Sequence, residues 1–270
     1  MTTFISPGKP ARRWKSFLFS GLAVLFWLAV WQAASVVIGQ EILLVSPVSV
    51  LHRLFFLVRE PSFWKTVGFS FSRILIGFFS ATVSGAAAAA LAYCFTWFRA
   101  LMAPPVFAVK AAPVASFVIL CLIWVPSRNL SVVISFLMVF PVVYLNLLEG
   151  LGETNVQLLE MAQVFRIPPW KRVRAIYWPQ CRPYFISACR LSLGLCWKSG
   201  IAAEVIGMPD GSIGEKLYQA KIFLQTEELF AWTVVVIGIS IFFEKVFLFL
   251  LRAGERPRSA AGTDEREDEA

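Results

Sequence analysis

The sequence predicts an all-α polytopic membrane protein with about six transmembrane helices. Of its 270 residues, 58% are apolar and only 16% are charged, whereas about a quarter of the residues in soluble domains are charged. Residues 16–40, 74–98 and 129–148 contain no charged residue. Because a helix needs about 20 apolar residues to cross a bilayer, such stretches are typical of transmembrane helices. The composition leaves little room for a soluble domain.

The first predicted span covers residues 17–38 and follows a basic segment at residues 1–15. A signal peptide has an apolar core of about 7 to 15 residues, so this longer run is interpreted as a retained transmembrane helix. An amphipathic segment at residues 48–58 precedes the second span, residues 63–98. The second span contains a run of alanines, residues 86–90, where another helix can pack closely.

The third predicted span, residues 102–125, is a kinked helix. It is entered through Pro104-Pro105 and interrupted by Lys110 and Pro113. A helix of this kind is tolerated only where it faces protein or a water-filled cavity. The last three predicted spans are residues 130–148, 184–208 and 229–251.

The positions of the Lys and Arg residues predict the orientation. With the N-terminus inside the cell, 14 of these 25 residues fall in inner segments. The outer loops contain Arg53, Arg59, Arg128, Lys216 and Lys221. Cytoplasmic loops are richer in Lys and Arg, so we expect both termini in the cytoplasm. The predicted parts are a cytoplasmic basic N-terminus (1–15), a transmembrane domain (16–252) and a disordered acidic cytoplasmic tail (253–270).

The sequence offers no residues for common catalytic or metal sites. Its only histidine is His52, and its five cysteines form no CxxC pair, so a His-based triad or a zinc cluster is not expected. A phosphate-binding GxxxxGK[ST] loop is also missing from the sequence. We therefore expect neither an enzyme nor a cofactor. The net charge of +8 follows from the cytoplasmic cations and requires no nucleic-acid partner.

The predicted cytoplasmic loop, residues 150–183, is organised as a short helix-turn-helix. Residues 157–166 have a helical pattern with one apolar face. That face carries Leu158, Met161, Ala162 and Phe165. Pro168-Pro169 makes the turn and can begin a second helix at residues 170–178, which Pro179 is expected to stop. An amphipathic helix that merely lies on anionic lipid is the alternative interpretation.

The run Glu160-Met161-Ala162, with Pro179 about twenty residues after the glutamate, resembles the EAA loop of ABC importer permeases. The wider pattern is similar to the nitrate, sulfonate and taurine type of permease over about residues 40–250. The supporting residues are Ser46-Pro47, Ser72-Arg73, Gly77-Phe78, Ala112-Pro113, Phe140-Pro141, Asn146, Gly150, Ala203-Glu204, and the segment 211–214. The resemblance implies that the ATPase-coupling residues are Glu160, Met161, Ala162, Arg166, Pro168, Trp170 and Pro179.

The resemblance implies the type I ABC importer permease fold in a bacterial inner membrane. It also implies four kinds of partner: cytoplasmic ABC ATPase subunits, an extracellular or periplasmic substrate-binding protein, a second permease copy in a homodimer, and the lipid bilayer. In the family, residues 157–179 would transmit ATPase movement to the transmembrane helices. Two residues depart from the family pattern, Met161 for the first alanine and Arg166 for a glycine. Because arginine reaches left-handed angles at a cost, we expect Pro168-Pro169 to make this turn differently.

Three charged residues are predicted within or beside the spans, namely Lys110, Lys198 and Glu204. Each should face a bundle interior or a cavity, because charge is costly in hydrocarbon. The three could line a pathway for an anionic substrate. In the alternative interpretation, Glu204 neutralises a nearby cation and Lys198 extends its amine to the interface.

A self-sufficient secondary transporter or channel is the alternative function. Such folds often contain internal repeats, and none is evident between residues 1–135 and 136–270. A membrane enzyme is not supported, because it would need catalytic groups facing one another on neighbouring helices.

Overall fold

The structure is a computed structural model that describes residues 11–40 and 42–253, and every regular element in these ranges is helical. The first two helices are α1 (Ala11–Ile38) and α2 (Pro47–Arg59). The others are α3 (Pro61–Cys94), α4 (Thr96–Ala111), α5 (Val114–Cys121), α6 (Ser127–Gly152), α7 (Val156–Val164), α8 (Pro169–Arg172), α9 (Trp178–Gly207), α10 (Ile213–Ile222) and α11 (Thr226–Ala253). Most of the predicted basic N-terminus and nearly all of the predicted acidic tail lie outside the described residues.

The chain forms two compact units. Of the described residues, the first unit contains 11–40, 42–64 and 216–234, and the second contains 65–215 and 235–253. In the first unit, α2 begins where the side chain of Ser46 accepts a hydrogen bond from the N–H of Ser49, at 3.1 Å. This capping bond satisfies one of the free donors at the start of the helix. The predicted amphipathic segment at residues 48–58 is therefore confirmed as a helix.

The first unit is held together by aromatic and ionic contacts between segments far apart in the sequence. The ring of Trp232 stacks on Phe63 with centroids 5.1 Å apart. Arg53 donates to Glu228 at 2.7 Å and forms an ion pair with it. These contacts attach the beginning of α11 to α2 and to the beginning of α3.

The described residues contain four helices that are long and apolar enough to cross a membrane: α1, α3, α6 and α11. The pair α4 and α5 is a fifth candidate, but the two helices meet at an angle of 107°. The predicted kink at Pro113 is thus a sharp break, because Ala112 before the proline is extended rather than helical. The predicted count of six spans is not confirmed.

α9 explains the difference in the count. At 30 residues it is long enough to span, since an α-helix rises about 1.5 Å per residue. It carries Arg190, Lys198 and Glu204, however, and is not among the helices that are apolar enough. A count from length and composition therefore omits a helix that lies in the middle of the second unit.

Within the second unit, α6 and α9 pack extensively against each other, and α3 packs against both of them. Small residues bring the backbones close together. A Cβ added at Gly77 of α3 would lie 2.6 Å from the carbonyl oxygen of Val132 in α6. One added at Gly200 of α9 would lie 2.7 Å from Cγ1 of Ile74. This is the close helix packing that small residues permit in membrane proteins.

Candidate functional site: the loop between α6 and α9 and the charged groups

The loop after α6 is ordered by polar contacts at the start of α7. The side chain of Asn155 accepts a hydrogen bond from the N–H of Gln157 at 2.8 Å and so caps the helix. The N–H of Asn155 donates to the side chain of Gln180 in α9 at 2.9 Å. The N-cap of α7 is therefore fixed to the first turn of α9. The predicted helix at residues 157–166 is present in slightly shorter form, as Val156–Val164.

α7 ends in a Schellman motif with Arg166 in the left-handed conformation, at φ 49°. The N–H of Ile167 donates to the carbonyl of Ala162 at 2.9 Å, and that of Arg166 donates to Gln163 at 3.0 Å. These two bonds are the defining pair of the motif and satisfy carbonyl groups at the helix end. The expectation that Pro168-Pro169 would make this turn differently is wrong, because Arg166 adopts the backbone angle that the family glycine would favour.

The second helix of the loop does not end at Pro179. α8 continues through a π-helical turn, Val173–Tyr177, directly into α9. Within this turn the N–H of Trp178 donates to the carbonyl of Val173, five residues earlier. The wider π-helical turn makes room for a proline ring, which in a regular α-helix would clash with a preceding carbonyl. The prediction that Pro179 stops the helix is therefore wrong, and the loop is continuous with α9.

The seven predicted coupling residues differ sharply in exposure. Ala162 is fully buried, whereas 50% of Met161 and 74% of Trp170 are exposed. The other four, which are Glu160, Arg166, Pro168 and Pro179, are exposed. Of the predicted apolar face of α7, only Ala162 is buried in this chain. The remaining apolar side chains form an exposed patch of the kind that marks an interaction site.

A pair of tyrosines connects this loop to α3. The rings of Tyr93, near the end of α3, and Tyr177, in the π-helical turn, lie 5.8 Å apart between centroids. Burial, together with the hydrogen bond to Tyr93, raises the pKa of Tyr177 to about 12, so its phenol stays protonated well into the alkaline range. Sequence analysis missed this pair because the two residues are far apart in the chain.

The three charged residues predicted in the spans lie in different surroundings. Lys110 in the last turn of α4 and Lys198 in α9 are exposed, whereas Glu204 is fully buried. Within the described part of the chain, no hydrogen bond or ion pair joins any two of them. Their joint role in a pathway remains a prediction.

Glu204 is hydrogen-bonded by neutral groups. Its Oε2 accepts from the hydroxyl of Ser70 in α3 at 2.6 Å and from the N–H of Gly214 in α10 at 3.3 Å. Arg73 lies near enough to interact electrostatically with Glu204, which agrees with the nearby cation of the alternative interpretation, although no hydrogen bond joins the two within the described residues. Sequence analysis missed Ser70 and the contact with Gly214. The one available signal was a hydroxyl group within an apolar run, which needs a partner when it is buried.

Comparison with known families gives one extensive match. The model of the family described as "Binding-protein-dependent transport system inner membrane component" matches residues 73–256. The match includes all of α4 to α11 and most of α3. The loop and the charged residues described above therefore all lie within the matched part of the chain.

Several curated proteins are similar to this chain over most of their length. A putative aliphatic sulfonates transport permease protein of Bacillus subtilis is 23% identical, over 84% of this chain and 83% of that protein. A taurine transport system permease protein of Escherichia coli is 24% identical, over 92% and 88%. A nitrate import permease protein of Synechococcus elongatus is 23% identical, over 82% and 85%.

A solved structure has a similar fold. It is that of an amino acid ABC transporter with histidines, and it matches with a TM-score of 0.50 at 17% identity. The match covers 71% of this chain and 89% of the other. At this level of identity the similarity concerns the fold alone.

Proposed function

The chain belongs to the family of binding-protein-dependent transport system inner membrane components. On this basis we propose which parts of the chain bind its partners and couple ATP hydrolysis to import. It is the transmembrane permease subunit of an ATP-binding cassette importer, in a bacterial membrane that it crosses several times. Permease subunits of this kind are not themselves enzymes. The energy is supplied by a separate cytoplasmic ATPase, and α7 with the turn that follows it is the surface on which that ATPase docks.

The exposure pattern of α7 is the observation that supports this docking surface. Ala162 is fully buried, while the apolar side chains of Met161, Phe165 and Trp170 are 50%, 70% and 74% exposed. Glu160 adds an exposed charge beside them. An apolar patch with charge at its edge is the usual composition of a protein interface.

The direct continuity of the loop with α9 supports its role in coupling. Because α8, the π-helical turn and α9 form one uninterrupted helical segment, a displacement at the docking surface can be passed to α9 as a rigid movement. The contact between Tyr93 and Tyr177 provides a second connection, to α3. We place this surface in the cytoplasm, together with both termini.

The remaining partners are an external substrate-binding protein and a second copy of the permease. The relatives are named as permeases for aliphatic sulfonates, taurine and nitrate, and these compounds share a compact oxyanion group. We infer a small oxyanion as the substrate class, which the exposed cations Lys110 and Lys198 suit.

Reversing the charge at Glu160 tests the docking surface. The purified permease is mixed with its ATPase, and co-elution and stimulated ATP hydrolysis are measured for the wild type and for Glu160→Lys. We expect both to fall by about tenfold or more, equivalent to about 1.4 kcal/mol of lost coupling. Glu153→Lys is the matched control, because Glu153 is an exposed acid at the end of α6 and outside α7. Unchanged hydrolysis in Glu160→Lys would show that the ATPase docks elsewhere.

A further inference from the structure

A buried polar cluster joins three helices at the start of α10. Glu204 and Ser70 are both fully buried. Besides donating to Glu204, the hydroxyl of Ser70 accepts a hydrogen bond from the N–H of Ile213 at 2.9 Å. The N–H of Gly214 completes the cluster by donating to the same carboxyl oxygen. Two of the free N–H groups at the beginning of α10 are thus satisfied by side chains of α3 and α9 rather than by water.

The first turn of α10 also lies directly on the backbone of α9. A Cβ added at Gly214 would be 2.3 Å from Cβ of Glu204, 2.4 Å from its carbonyl carbon and 2.5 Å from the nitrogen of Val205. Two of these atoms belong to backbone, which cannot move aside as a flexible side chain can. Glycine at this position is therefore required for the contact, and the carboxyl group of Glu204 is held within reach of the helix end.

The turn between α9 and α10 is ordered by its own hydrogen bonds as well. The side chain of Ser212 accepts from the N–H of Glu215 at 3.0 Å, and Glu215 accepts from the N–H of Gly211 at 2.6 Å. This reciprocal arrangement resembles a capping box. Because the turn is internally fixed, the bonds from Ser70 and Gly214 to Glu204 attach an already ordered unit to the bundle.

The position of Glu204 within α9 gives the cluster a consequence for transport. α9 begins beside the π-helical turn of the docking loop and ends at Gly207, three residues after Glu204. From its first residue to Glu204, α9 rises about 39 Å at 1.5 Å per residue. A displacement that enters α9 at its first turn therefore reaches the cluster near its other end.

We propose that Glu204 is a positioning residue that makes α10 follow α9 during the transport cycle, through the hydrogen bonds that Ser70 and Gly214 donate to its Oε2. It acts as a hydrogen-bond acceptor, and its charge is not required. This inference rests on the proposed function, since it concerns the response of the permease to its ATPase. It differs from the prediction that Glu204 lines the translocation pathway, because in that role the carboxylate charge would be essential.

The test is whether ATP still moves the turn when the cluster is broken. Asp210, an exposed residue of the turn, is replaced by cysteine in a protein whose Cys94 and Cys121 are changed to alanine. The rate of maleimide labelling at position 210 is measured in the complex of permease and ATPase, without nucleotide and with ATP and vanadate. ATP hydrolysis is measured in parallel. Neither readout requires the substrate to be known.

We expect nucleotide to change the labelling rate by at least about threefold in the wild-type background. Glu204→Ala should abolish this change while ATP hydrolysis persists. Glu204→Gln should preserve it, because the carboxamide oxygen can accept the same two hydrogen bonds. Ser70→Ala removes one hydrogen bond to Glu204 but keeps the carboxyl group, and it should weaken the response. It tests the inference even if Glu204→Ala does not fold. Ser72→Ala on the exposed face of α3 is the matched control and should leave the response unchanged.

Three results would overturn the inference. Glu204→Gln could lose the response as Glu204→Ala does, which would show that the charge is needed. Glu204→Ala could keep it, or the wild type could hydrolyse ATP with no change in labelling. If the permease does not stimulate its ATPase at all, the proposed function itself fails, and the hydrolysis measurement identifies that case separately.

Discussion

Arg166 adopts a backbone conformation that glycine reaches without strain. Its left-handed φ of 49° costs a non-glycine residue about 1 kcal/mol. The two Schellman hydrogen bonds at the end of α7 offset this cost. The sequence identified Arg166 as the unusual residue. It could not show that the backbone at this position stays left-handed despite the cost for arginine.

The first prediction is that Arg166→Gly stabilises the permease. Removing the strain should raise the free energy of unfolding by up to about 1 kcal/mol, measured by thermal or denaturant unfolding in detergent. Val164→Gly is the control, because Val164 is exposed but right-handed and helical, so glycine there should destabilise. A lower stability for Arg166→Gly would contradict the account of this turn.

Gly77 is the second residue whose environment is restrictive. A Cβ there would meet the carbonyl oxygen of Val132 at 2.6 Å and Cβ of Ser135 at 2.7 Å. We predict that Gly77→Ala lowers the free energy of unfolding by about 1 to 3 kcal/mol, the usual range for overpacking. Gly68→Ala on the same helix has open space around the added methyl group and should be neutral or stabilising. Equal stability of the two variants would show that α3 and α6 are not closely packed.

Among the elements, α7 depends on one buried small residue. Ala162 is fully buried, and its neighbour Met161 is half exposed. We predict that Ala162→Leu, which has no space for its larger side chain, displaces α7 and reduces stimulation of the ATPase by about tenfold. Met161→Leu changes an exposed apolar side chain by little and should keep most of the stimulation. The measurement is ATP hydrolysis by the reconstituted complex, and full activity of Ala162→Leu would contradict the proposed attachment of α7.

The short helices could be predicted only in part. The periodicity of residues 157–166 and the amphipathic pattern of residues 48–58 were sufficient to place α7 and α2. Pro179 was misinterpreted because a proline normally ends a helix, and a π-helical turn leaves no recognisable pattern in the sequence. The cluster at Glu204 could not be predicted either, since Ser70 lies 134 residues before Glu204 in the chain and meets it only when α3 and α9 pack together.

At the scale of the whole molecule, the composition was sufficient for the class of protein but not for the number of spans. Apolar stretches identified α1, α3, α6 and α11. The charges of α9 and the break between α4 and α5 make the remaining spans ambiguous. Hydropathy gives only the average polarity of the residues in a segment. A helix that packs inside a bundle can carry charged residues that would be too costly in contact with lipid.

The proposed orientation predicts which positions react from each side of the membrane. Gln163 in α7 and Lys221 in α10 are both exposed, and we place the first in the cytoplasm and the second outside. In a background lacking Cys94 and Cys121, Gln163→Cys should react with a membrane-impermeant maleimide only after the cells are opened. Lys221→Cys should react in intact spheroplasts. The reverse pattern would invert the topology.

The central claim is that this permease imports a solute only when a separate ATPase supplies energy. Proteoliposomes containing the permease, its ATPase and the binding protein test it directly, by uptake of the solute that the binding protein retains. The account predicts accumulation that requires ATP hydrolysis and disappears with an ATPase that binds but cannot hydrolyse ATP. Accumulation by the permease alone, driven by an ion gradient without any ATPase, would contradict the account and indicate a secondary transporter.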